Sequence, residues 1–398
     1  MNNYFETSAR LIDAISTAIV RYLYQKIDWE QRLIGILGAR GTGKTTLMLQ
    51  YLKNQNLTSR ESLYLSLDRL VLFNYSLYDL ADQFYKQGGQ RLFLDEVHKY
   101  PNWAIEVKSI YDDFPLLRIV FSGSSALLLH KAEADLSRRC SMYHLHNLSF
   151  REFIKFKSGI DFSSVSLHEI LENHIVLARN INKNMRPLAL FSEYLKSGAY
   201  PYYFENPLLF HDRVMATVKV IIEGDLMALS SFSYSSIVAM QKILALIAES
   251  VPFKPNISEL SRKSGVARDI LLKMIDLLKR ADLLLMMRQD SSPTGYLTKP
   301  EKLYLHNSSL AWALAANRNP EIGTVRETFF LNQLSCLHNV TLPKEGDFMV
   351  DNKYTFEIGG ISKTSRQIWE VPVSFVVQDD IETGFGKNIP LWLFGFLY

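Results

Sequence analysis

Gly38-Ala39-Arg40-Gly41-Thr42-Gly43-Lys44-Thr45, followed by Thr46, is the stretch that decides the fold of the first part of the chain. It matches the template G-x-x-x-x-G-K-[ST] at every fixed position. The apolar run Leu33–Leu37 precedes it as a strand would, and residues 46–52 follow it with helical spacing. A strand, a glycine-rich loop and a helix in this order predict a phosphate-binding loop.

The residue types of this loop suit a nucleotide. Glycines allow backbone N–H groups to turn inward around an anion, and the helix that follows points its positive end at the same place. Lys44 adds a full charge at the phosphates, and the Thr45 hydroxyl is placed to hold Mg²⁺. We therefore predict that ATP or ADP is bound by Gly38, Ala39, Arg40, Gly41, Thr42, Gly43, Lys44, Thr45 and Thr46.

Apolar runs alternate with helical patterns through the first 150 residues. A helix is predicted over residues 6–27, and strands are predicted at 33–37, 62–67, 90–96, 116–121 and 142–145. Such alternation is typical of an α/β fold in which a parallel sheet carries helices on both faces. The ligand of such a sheet lies at the carboxyl ends of the strands.

Two acids end the predicted strand at residues 90–96. In a P-loop ATPase, Asp95 would hold the Mg²⁺ and Glu96 would polarise the attacking water. The alternative is a strand that ends in solvated acids. It is less favoured because the pair follows a full phosphate loop and closes a later core strand.

A serine-rich segment, Ser122-Gly123-Ser124-Ser125, follows the next strand. Ser124 is the candidate to hydrogen-bond the γ-phosphate or the water, and Ser122 is the alternative. Serines also favour helix N-caps, and a helix is predicted at residues 127–136. Both interpretations stay open.

The pair Arg138-Arg139 precedes the last predicted strand of the core. An arginine at this place can reach a nucleotide phosphate in its own chain or in a neighbouring subunit. The raw sequence favours the other interpretation, a solvated pair of arginines. An arginine that acts between subunits would require an oligomer.

Composition limits the classes of protein. The chain has 398 residues, which suggests two or three domains, and a net charge of +3, which is too small to indicate a nucleic-acid or membrane surface. Cys140 and Cys336 are far apart, so neither a disulfide framework nor a metal site is expected. We found no signal peptide and no apolar run of spanning length. We expect a cytoplasmic protein that does not associate with membranes.

Three segments together resemble one family: Leu92–Trp103, Phe121–Ala126 and Leu148–Phe153. The chain is similar, over nearly its whole length, to prokaryotic AAA-type P-loop ATPases that carry a winged helix and a nuclease-like domain of unknown function. That family usually has Gly-Arg before the last core strand, where this chain has Arg138-Arg139. The resemblance therefore assigns a catalytic arginine to Arg139 first and Arg138 second.

The resemblance and the sequence pattern together divide the chain into four parts. They are a P-loop ATPase core (1–150), a helical lid (151–234), a winged helix (235–318) and a small α+β domain (319–398). The resemblance implies that the last domain is restriction-endonuclease-like and degenerate. The apolar residues 390–398 are predicted to form a final buried strand.

The predicted winged helix has two possible partners. Its basic residues could meet DNA phosphates: Arg262, Lys263, Arg268, Lys273, Lys279 and Arg280. Its second helix is mostly core-facing by pattern, with apolar residues Ile270, Leu271, Met274, Ile275, Leu277 and Leu278. A DNA partner and a protein partner therefore both stay open.

The nuclease-like domain carries two acids on consecutive predicted strands. In the nuclease class that it resembles, Asp347 and Glu357 would hold Mg²⁺ and a lysine two residues after the glutamate would support the attacking water. Here that position is Gly359, and Lys363 is the nearest replacement. We therefore expect no nuclease activity. The alternative for the acids is a hairpin in which they are solvated or salt-bridged.

These expectations combine into a leading hypothesis and two alternatives. The leading one is an ATPase that hydrolyses ATP with Mg²⁺ to move C-terminal DNA- or protein-binding modules. Its catalytic residues would be Lys44, Glu96, Ser124 and Arg139. The alternatives are a slow nucleotide-dependent switch and an ATP-dependent DNA-acting protein.

Overall fold

The computed structural model describes residues 2–55, 57–58, 60–70, 76–124, 136, 138–227, 234–249, 257–288 and 301–398. These residues form two compact units, Met1–His146 and Asn147–Tyr398. The division lies close to the predicted end of the ATPase core at residue 150. The further division of the second unit into lid, winged helix and nuclease-like domain stays a prediction. Within the described part of the chain, we found no helix with the length and apolar character needed to span a membrane.

The first unit is built on a five-stranded sheet. Its strands are β1 (Leu33–Leu37), β2 (Ser62–Ser66), β3 (Arg91–Asp95), β4 (Arg118–Gly123) and β5 (Ser141–His144). Their order is β2-β3-β4-β1-β5, and all four neighbouring pairs are parallel. The five predicted strands and the parallel sheet are confirmed.

Six α-helices belong to the described residues of the first unit. They are α1 (Asn2–Ala14), α2 (Leu23–Lys26), α3 (Lys44–Asn54), α4 (Leu67–Leu70), α5 (Leu77–Lys86) and α6 (Trp103–Asp113). Side chains of α3 pack with one set of alternating strand residues, including Ile34 and Phe93. Side chains of α5 and α6 pack with the other set, including Leu92 and Phe121. Successive strand residues point to opposite faces, so helices cover both sides of the sheet as predicted.

The prediction of one helix over residues 6–27 is wrong. Helix α1 ends at Ala14, and α2 begins only at Leu23. Side chains of α3 bind backbone carbonyls in the intervening segment: Gln50 donates to the carbonyls of Ser16 and Ile19. These bonds satisfy carbonyl groups that a continuous helix would have paired internally. The predicted helix 127–136 lies outside the described residues, apart from Leu136.

The second unit is largely helical. Its helices are α7 (Phe150–Ser158), α8 (Leu167–Asn182), α9 (Pro187–Ser197), α10 (Phe210–Val220), α11 (Tyr234–Ala248), α12 (Ile257–Ser264), α13 (Arg268–Arg280), α14 (Ser308–Leu314) and α15 (Ile322–Ser335). Helix α10 continues as a π-helical segment over Ile221–Leu226. A capping box begins α7, because Ser149 and Glu152 each bond the other's backbone N–H.

A hairpin follows α13. Its strands, β6 (Leu284–Met287) and β7 (Lys302–Leu305), are antiparallel. The predicted tip, residues 290–295, lies outside the described residues. Helices α11, α12 and α13 and the hairpin thus occur in the predicted order, and their identity as a winged helix stays a prediction.

The last part of the second unit contains a five-stranded mixed sheet. Its strands are β8 (Val340–Thr341), β9 (Phe348–Val350), β10 (Tyr354–Gly359), β11 (Ser374–Gln378) and β12 (Asn388–Pro390). Strands β8, β9 and β10 pair antiparallel, and β10, β11 and β12 pair parallel.

The prediction of a final strand over residues 390–398 is wrong. Strand β12 ends at Pro390, and Leu391–Phe396 forms a buried 3-10 helix. The Tyr398 main-chain oxygen accepts hydrogen bonds from Ser149 Oγ at 2.9 Å and Arg151 Nε at 3.0 Å. Apolar burial was predicted correctly, but an apolar run alone does not distinguish a strand from a buried helical turn.

Candidate functional site

The phosphate loop connects β1 to α3 and depends on its glycines. Gly38, Gly41 and Gly43 have φ values of 153°, 85° and 96°, which side chains rarely adopt. A Cβ at Gly38 would lie 2.4 Å from the carbonyl oxygen of Leu145. The loop geometry that the motif predicts is therefore present, with Gly43 at the N-terminus of α3.

Lys44 is buried within the loop that it would serve. Its Nζ donates to the carbonyl oxygens of Gly38 at 2.9 Å and Ala39 at 3.0 Å. The Ala39 oxygen also accepts from Thr42 Oγ1 at 2.9 Å. Of the other loop residues, Gly41 and Thr46 are exposed, and Arg40 is partly exposed. The predicted binding residues thus form the loop after β1 and the first turn of α3.

The structure brings Thr45 and Asp95 together. Thr45 Oγ1 donates to Asp95 Oδ2 at 2.6 Å, across 50 positions of sequence. Asp95 ends β3 and is 2% exposed. A hydroxyl and a carboxylate are the hard oxygen ligands that Mg²⁺ prefers, so these two residues fit the metal that the motif implies.

Further donors converge on Asp95. Tyr64 donates to Oδ2 at 2.7 Å, Ser122 Oγ donates to Oδ1, and the Glu96 N–H donates to Oδ1 at 3.1 Å. Ser122, the alternative to Ser124, therefore binds the carboxylate of Asp95. Tyr64 was missed, because its place between Leu63 and Leu65 in a strand gives the sequence signal of a core residue.

Glu96 lies directly after β3 in the left-handed backbone region. Its φ and ψ are 54° and 43°, a conformation that costs a residue with a Cβ about 1–2 kcal/mol. Its Oε2 lies 3.3 Å from Nε2 of His98, whose side chain is buried. Backbone strain of this kind is often found at functional sites. Both predicted acids therefore occupy the carboxyl edge of the sheet, with Glu96 held beside His98.

Ser124 follows β4 at the same edge of the sheet. Its Oγ is buried and has no hydrogen-bond partner among the residues that the structure describes. Buried hydroxyls are normally bonded, so Ser124 stays a candidate to bind the γ-phosphate or the water.

Arg139 lies at the opposite edge of the sheet. It precedes β5, whose Ser141 pairs with Ile34 near the start of β1, whereas the phosphate loop follows the end of β1. The four-residue strand β5 separates the two edges by about 13 Å. Arg139 instead makes a two-pronged salt bridge to Asp112, at 3.0 and 3.1 Å. Arg139 therefore lies away from the phosphate loop of its own chain. A nucleotide contact by Arg139, or by the exposed Arg138, in its own chain or in a neighbouring subunit stays a prediction.

Arg21 is a second residue that the sequence did not reveal. It is 4% exposed and lies between α1 and α2. Its Nη1 donates to the carbonyl of Thr42 at 2.5 Å, and its Nη2 donates to that of His146 at 2.8 Å. The arginine thus ties the phosphate loop to the segment after β5. No motif marks it, because the contact joins residues far apart in the chain.

In the second unit, three acids share their surroundings with two lysines. We call Glu327, Asp347, Glu357, Lys302 and Lys363 the carboxylate–lysine cluster. Lys363 Nζ lies 2.5 Å from Glu357 Oε1, while Lys302 Nζ lies 3.6 Å from Glu327 Oε2 and 3.9 Å from Asp347 Oδ1. Lys363 follows β10 and nevertheless reaches the glutamate. A Cβ at Gly359 would lie 2.7 Å from the Lys363 side chain, so the glycine makes room for that lysine.

The cluster does not fit the Mg²⁺ site that the nuclease resemblance implies. The Glu357 side chain is fully buried against an ammonium group, and Asp347 Oδ2 accepts the Ile358 N–H at 2.8 Å. Burial, with the nearby Asp347 charge, raises the pKa of Glu327 and of Glu357. Across the described residues, no three His, Cys, Asp or Glu side chains are arranged to hold a metal ion. The salt-bridged alternative for these acids is the one that the structure shows.

The basic residues of the predicted winged helix differ in exposure. Arg262, Arg268 and Lys273 are exposed. Lys279 is partly buried, which lowers its pKa, and Arg280 pairs with Asp276 at 2.9 Å. The side chain of Lys263 lies outside the description.

The apolar pattern of α13 is largely confirmed. Leu271, Met274, Ile275 and Leu278 are buried, and Leu277 is partly buried. Ile270 is 42% exposed, so its assignment to the core-facing side is wrong. It lies in the first turn of α13, which begins at Arg268.

Parts of the chain are similar to known proteins. Residues 30–154 match the AAA_14 family model, described as an AAA domain. An uncharacterized protein of Methanocaldococcus jannaschii, MJ1637, is 25% identical over 287 residues, which are 69% of this chain and 60% of that protein. The chain thus spans less than two thirds of the length of this relative.

Solved structures show weaker likenesses. DnaA from Aquifex aeolicus with AMPPCP bound is 13% identical, with a TM-score of 0.28 over 69% of this chain and 88% of that chain. A katanin structure is 16% identical, with a TM-score of 0.25 over 46% of this chain and 70% of that chain. PCH-2 of C. elegans is 20% identical, with a TM-score of 0.24 over 40% of this chain and 46% of that chain. The family match over the sheet and its phosphate loop supports an AAA-type P-loop ATPase.

Proposed function

We propose that this protein binds ATP at the phosphate loop and hydrolyses it with Mg²⁺. The observation that carries the proposal is the hydrogen bond of 2.6 Å between Thr45 Oγ1 and Asp95 Oδ2. It joins the loop residue and the strand-end acid that P-loop ATPases use together. Chance would not be expected to place these two residue types in contact at the carboxyl edge of a parallel sheet.

The residues around this contact have separate roles in the proposal. Backbone N–H groups of the loop bind the phosphates, and Lys44 leaves its two carbonyl partners to neutralise their charge. Thr45 and Asp95 would hold Mg²⁺, which stabilises the negative charge that develops on the transferred phosphoryl group. Glu96 orients and activates the attacking water, and Ser124 donates its hydroxyl to the γ-phosphate or to that water.

A slow nucleotide-dependent switch is the second candidate. One observation favours it: Glu96 Oε2 lies 3.3 Å from the His98 ring. While that contact persists, the carboxylate is less available to a water molecule. We propose that nucleotide binding must first separate the two groups, and a slow separation would make the protein a switch.

The second unit would respond to the nucleotide. In this proposal, hydrolysis moves the helical lid and the C-terminal modules, which contact DNA or a protein. The exposed residues Arg262, Arg268 and Lys273 support DNA, and the buried face of α13 leaves little of that helix for base reading. Arg139 would contribute only across a subunit boundary in an oligomer.

The first experiment is steady-state ATP hydrolysis by the wild type and Lys44→Ala, with and without duplex or single-stranded DNA, at two salt concentrations. We expect Mg²⁺-dependent hydrolysis that Lys44→Ala abolishes, since the substitution removes the phosphate-binding charge. A wild type no faster than Lys44→Ala would reject the ATPase and leave nucleotide binding alone.

Two further variants separate the candidates. Glu96→Gln should stop a motor but leave nucleotide binding intact, and His98→Ala should speed a switch by releasing Glu96. DNA stimulation that weakens with salt and disappears in Arg262→Ala/Arg268→Ala/Lys273→Ala would favour the DNA-acting alternative. A rate of ATP hydrolysis that DNA does not change would favour a protein partner.

A further inference from the structure

Tyr64 is the one tyrosine whose hydroxyl reaches the predicted metal ligand Asp95 among the described hydrogen bonds. The two oxygen atoms lie 2.7 Å apart, in a contact that is buried. Tyr64 is 6% exposed and lies on β2, next to β3 in the sheet. Its neighbour across the register is Phe93, two residues before Asp95. The sheet therefore fixes the separation of the two side chains.

The carboxylate of Asp95 is held at both oxygens. Tyr64 and Thr45 donate to Oδ2, while Ser122 and the Glu96 N–H donate to Oδ1. An isolated carboxylate at a strand end can rotate, whereas one with donors at both oxygens keeps a single orientation. Groups that orient a metal ligand in this way commonly change metal affinity by about 10–100-fold when they are removed.

The hydroxyl of Tyr64 is suited to a permanent role as a donor. Its contact with Asp95 is buried, so water does not compete for the hydroxyl proton. The ring and the Thr45 side chain also line a cavity of about 380 Å³. Phenylalanine at this position would preserve that wall and remove only the hydroxyl.

We propose that Tyr64 is a positioning residue that fixes the Asp95 carboxylate for Mg²⁺ in the nucleotide-bound protein. The inference rests on the proposed function, because it assumes that Asp95 and Thr45 serve a nucleotide-bound metal. Tyr64 itself touches neither nucleotide nor metal in this role.

The test compares Tyr64→Phe with the wild type and with Tyr51→Phe in the full chain. Tyr51 is a matched control, because it is 3% exposed in the same unit and its hydroxyl accepts a bond of 2.6 Å from Arg91, away from Asp95. The readout is the affinity for a fluorescent, slowly hydrolysed ATP analogue, measured in EDTA and across a Mg²⁺ titration. Affinity in EDTA reports whether the fold and the phosphate loop are intact.

We expect Tyr64→Phe to require about tenfold more Mg²⁺ for half-maximal tightening, with unchanged affinity in EDTA. Tyr51→Phe should follow the wild type in both measurements. Superimposable Mg²⁺ titrations of Tyr64→Phe and the wild type would overturn the inference alone. An equal loss of affinity with and without Mg²⁺ would also overturn it, since that pattern indicates a structural role. A wild type that does not bind the analogue would reject the proposed function and, with it, the inference.

Discussion

Asp95 in the first unit and Glu357 in the second are both buried acids on strands of five-stranded sheets, and their partners differ. Asp95 receives hydrogen bonds from the neutral hydroxyls of Thr45, Tyr64 and Ser122. Glu357 lies 2.5 Å from the ammonium group of Lys363. Neutral donors orient a carboxylate and leave its charge for a cation, whereas an ammonium group already compensates that charge.

This difference in partners shows that residue type and strand position do not suffice to identify a metal site. Mg²⁺ was predicted at Asp95 and was implied at Glu357 only by the nuclease resemblance, although their sequence contexts are alike: an apolar strand that carries an acid. Only the identity of the neighbouring side chains separates a site that fits a cation from one that contains two lysines. The following predictions test that separation, beginning with the largest expected effect.

Removal of the charge of Asp95 should separate the two sites most clearly. We expect Asp95→Asn to lower the rate of ATP hydrolysis at least about a hundredfold, because the charge that would hold Mg²⁺ is lost. Asp347→Asn should leave the rate within about twofold of the wild type. Steady-state hydrolysis at saturating Mg²⁺ measures both. Similar losses of hydrolysis rate in the two variants would show that the two sites do not differ in this way.

Removal of Lys363 should make the surroundings of Glu357 more like those of Asp95, because the ammonium group beside the carboxylate is lost. Lys363→Ala leaves the fully buried Glu357 without its ammonium partner, which should lower the free energy of unfolding by about 3 kcal/mol. Mn²⁺ or Mg²⁺ should restore part of the melting temperature of this variant and leave that of the wild type unchanged.

The control for this prediction is Lys353→Ala, because Lys353 is an exposed lysine of the same part of the chain. It should melt as the wild type does, with or without metal. Stabilisation of the wild type by Mn²⁺ through the second unit would show that the lysines do not exclude a cation.

The cluster should also make stability depend on pH. The pKa values of Glu327 and Glu357 are raised in the folded protein above the ordinary value of 4.5. An acid of this kind contributes stability that is present below pH 4.5 and is lost as the pH rises through the folded pKa. Urea unfolding at a series of pH values from 4.5 upwards should show that the free energy of unfolding falls as the pH rises. In Glu327→Gln this fall should be smaller. Glu345→Gln, at an exposed position, should retain the slope of the wild type, and a slope unchanged in Glu327→Gln would contradict the assignment.

The smallest effect is expected at an exposed pair. Arg139 and Asp112 have side chains that are 33% and 43% exposed, so Arg139→Ala should lower the free energy of unfolding by no more than about 1 kcal/mol. In dilute protein, basal hydrolysis should not change, because the arginine lies at the far edge of its own sheet. A loss of hydrolysis that appears only at concentrations where the chain oligomerises would support a role in a neighbouring subunit.

Much of the first unit was predictable, because its signals are local. The phosphate loop, the apolar strands and the acids after β3 are each encoded within a few consecutive residues. The two wrong predictions of secondary structure share one cause. At residues 6–27 and 390–398, apolar spacing indicated burial correctly, while tertiary contacts decided the backbone conformation. Gln50 binds the carbonyls of Ser16 and Ile19, and Ser149 and Arg151 bind the main-chain oxygen of Tyr398.

The candidate site was predictable only in part. Lys44, Thr45, Asp95 and Glu96 follow from a motif and a strand end. Tyr64 and Arg21 do not, because each contacts the site across a distance in sequence that no local pattern records. Lys363 was considered only as the nearest lysine, and its reach to Glu357 depends on the room left by Gly359.

The sequence by itself thus determined the phosphate loop and the alternation of strands and helices, because short-range spacing and glycine geometry encode both. The tertiary structure alone decided which edge of the sheet each charged side chain occupies and which neighbours its charge meets. Strand direction places Arg139 away from the loop, and strand pairing places Tyr64 beside Asp95. Electrostatic interactions depend on distances in space, and these distances are set by the fold.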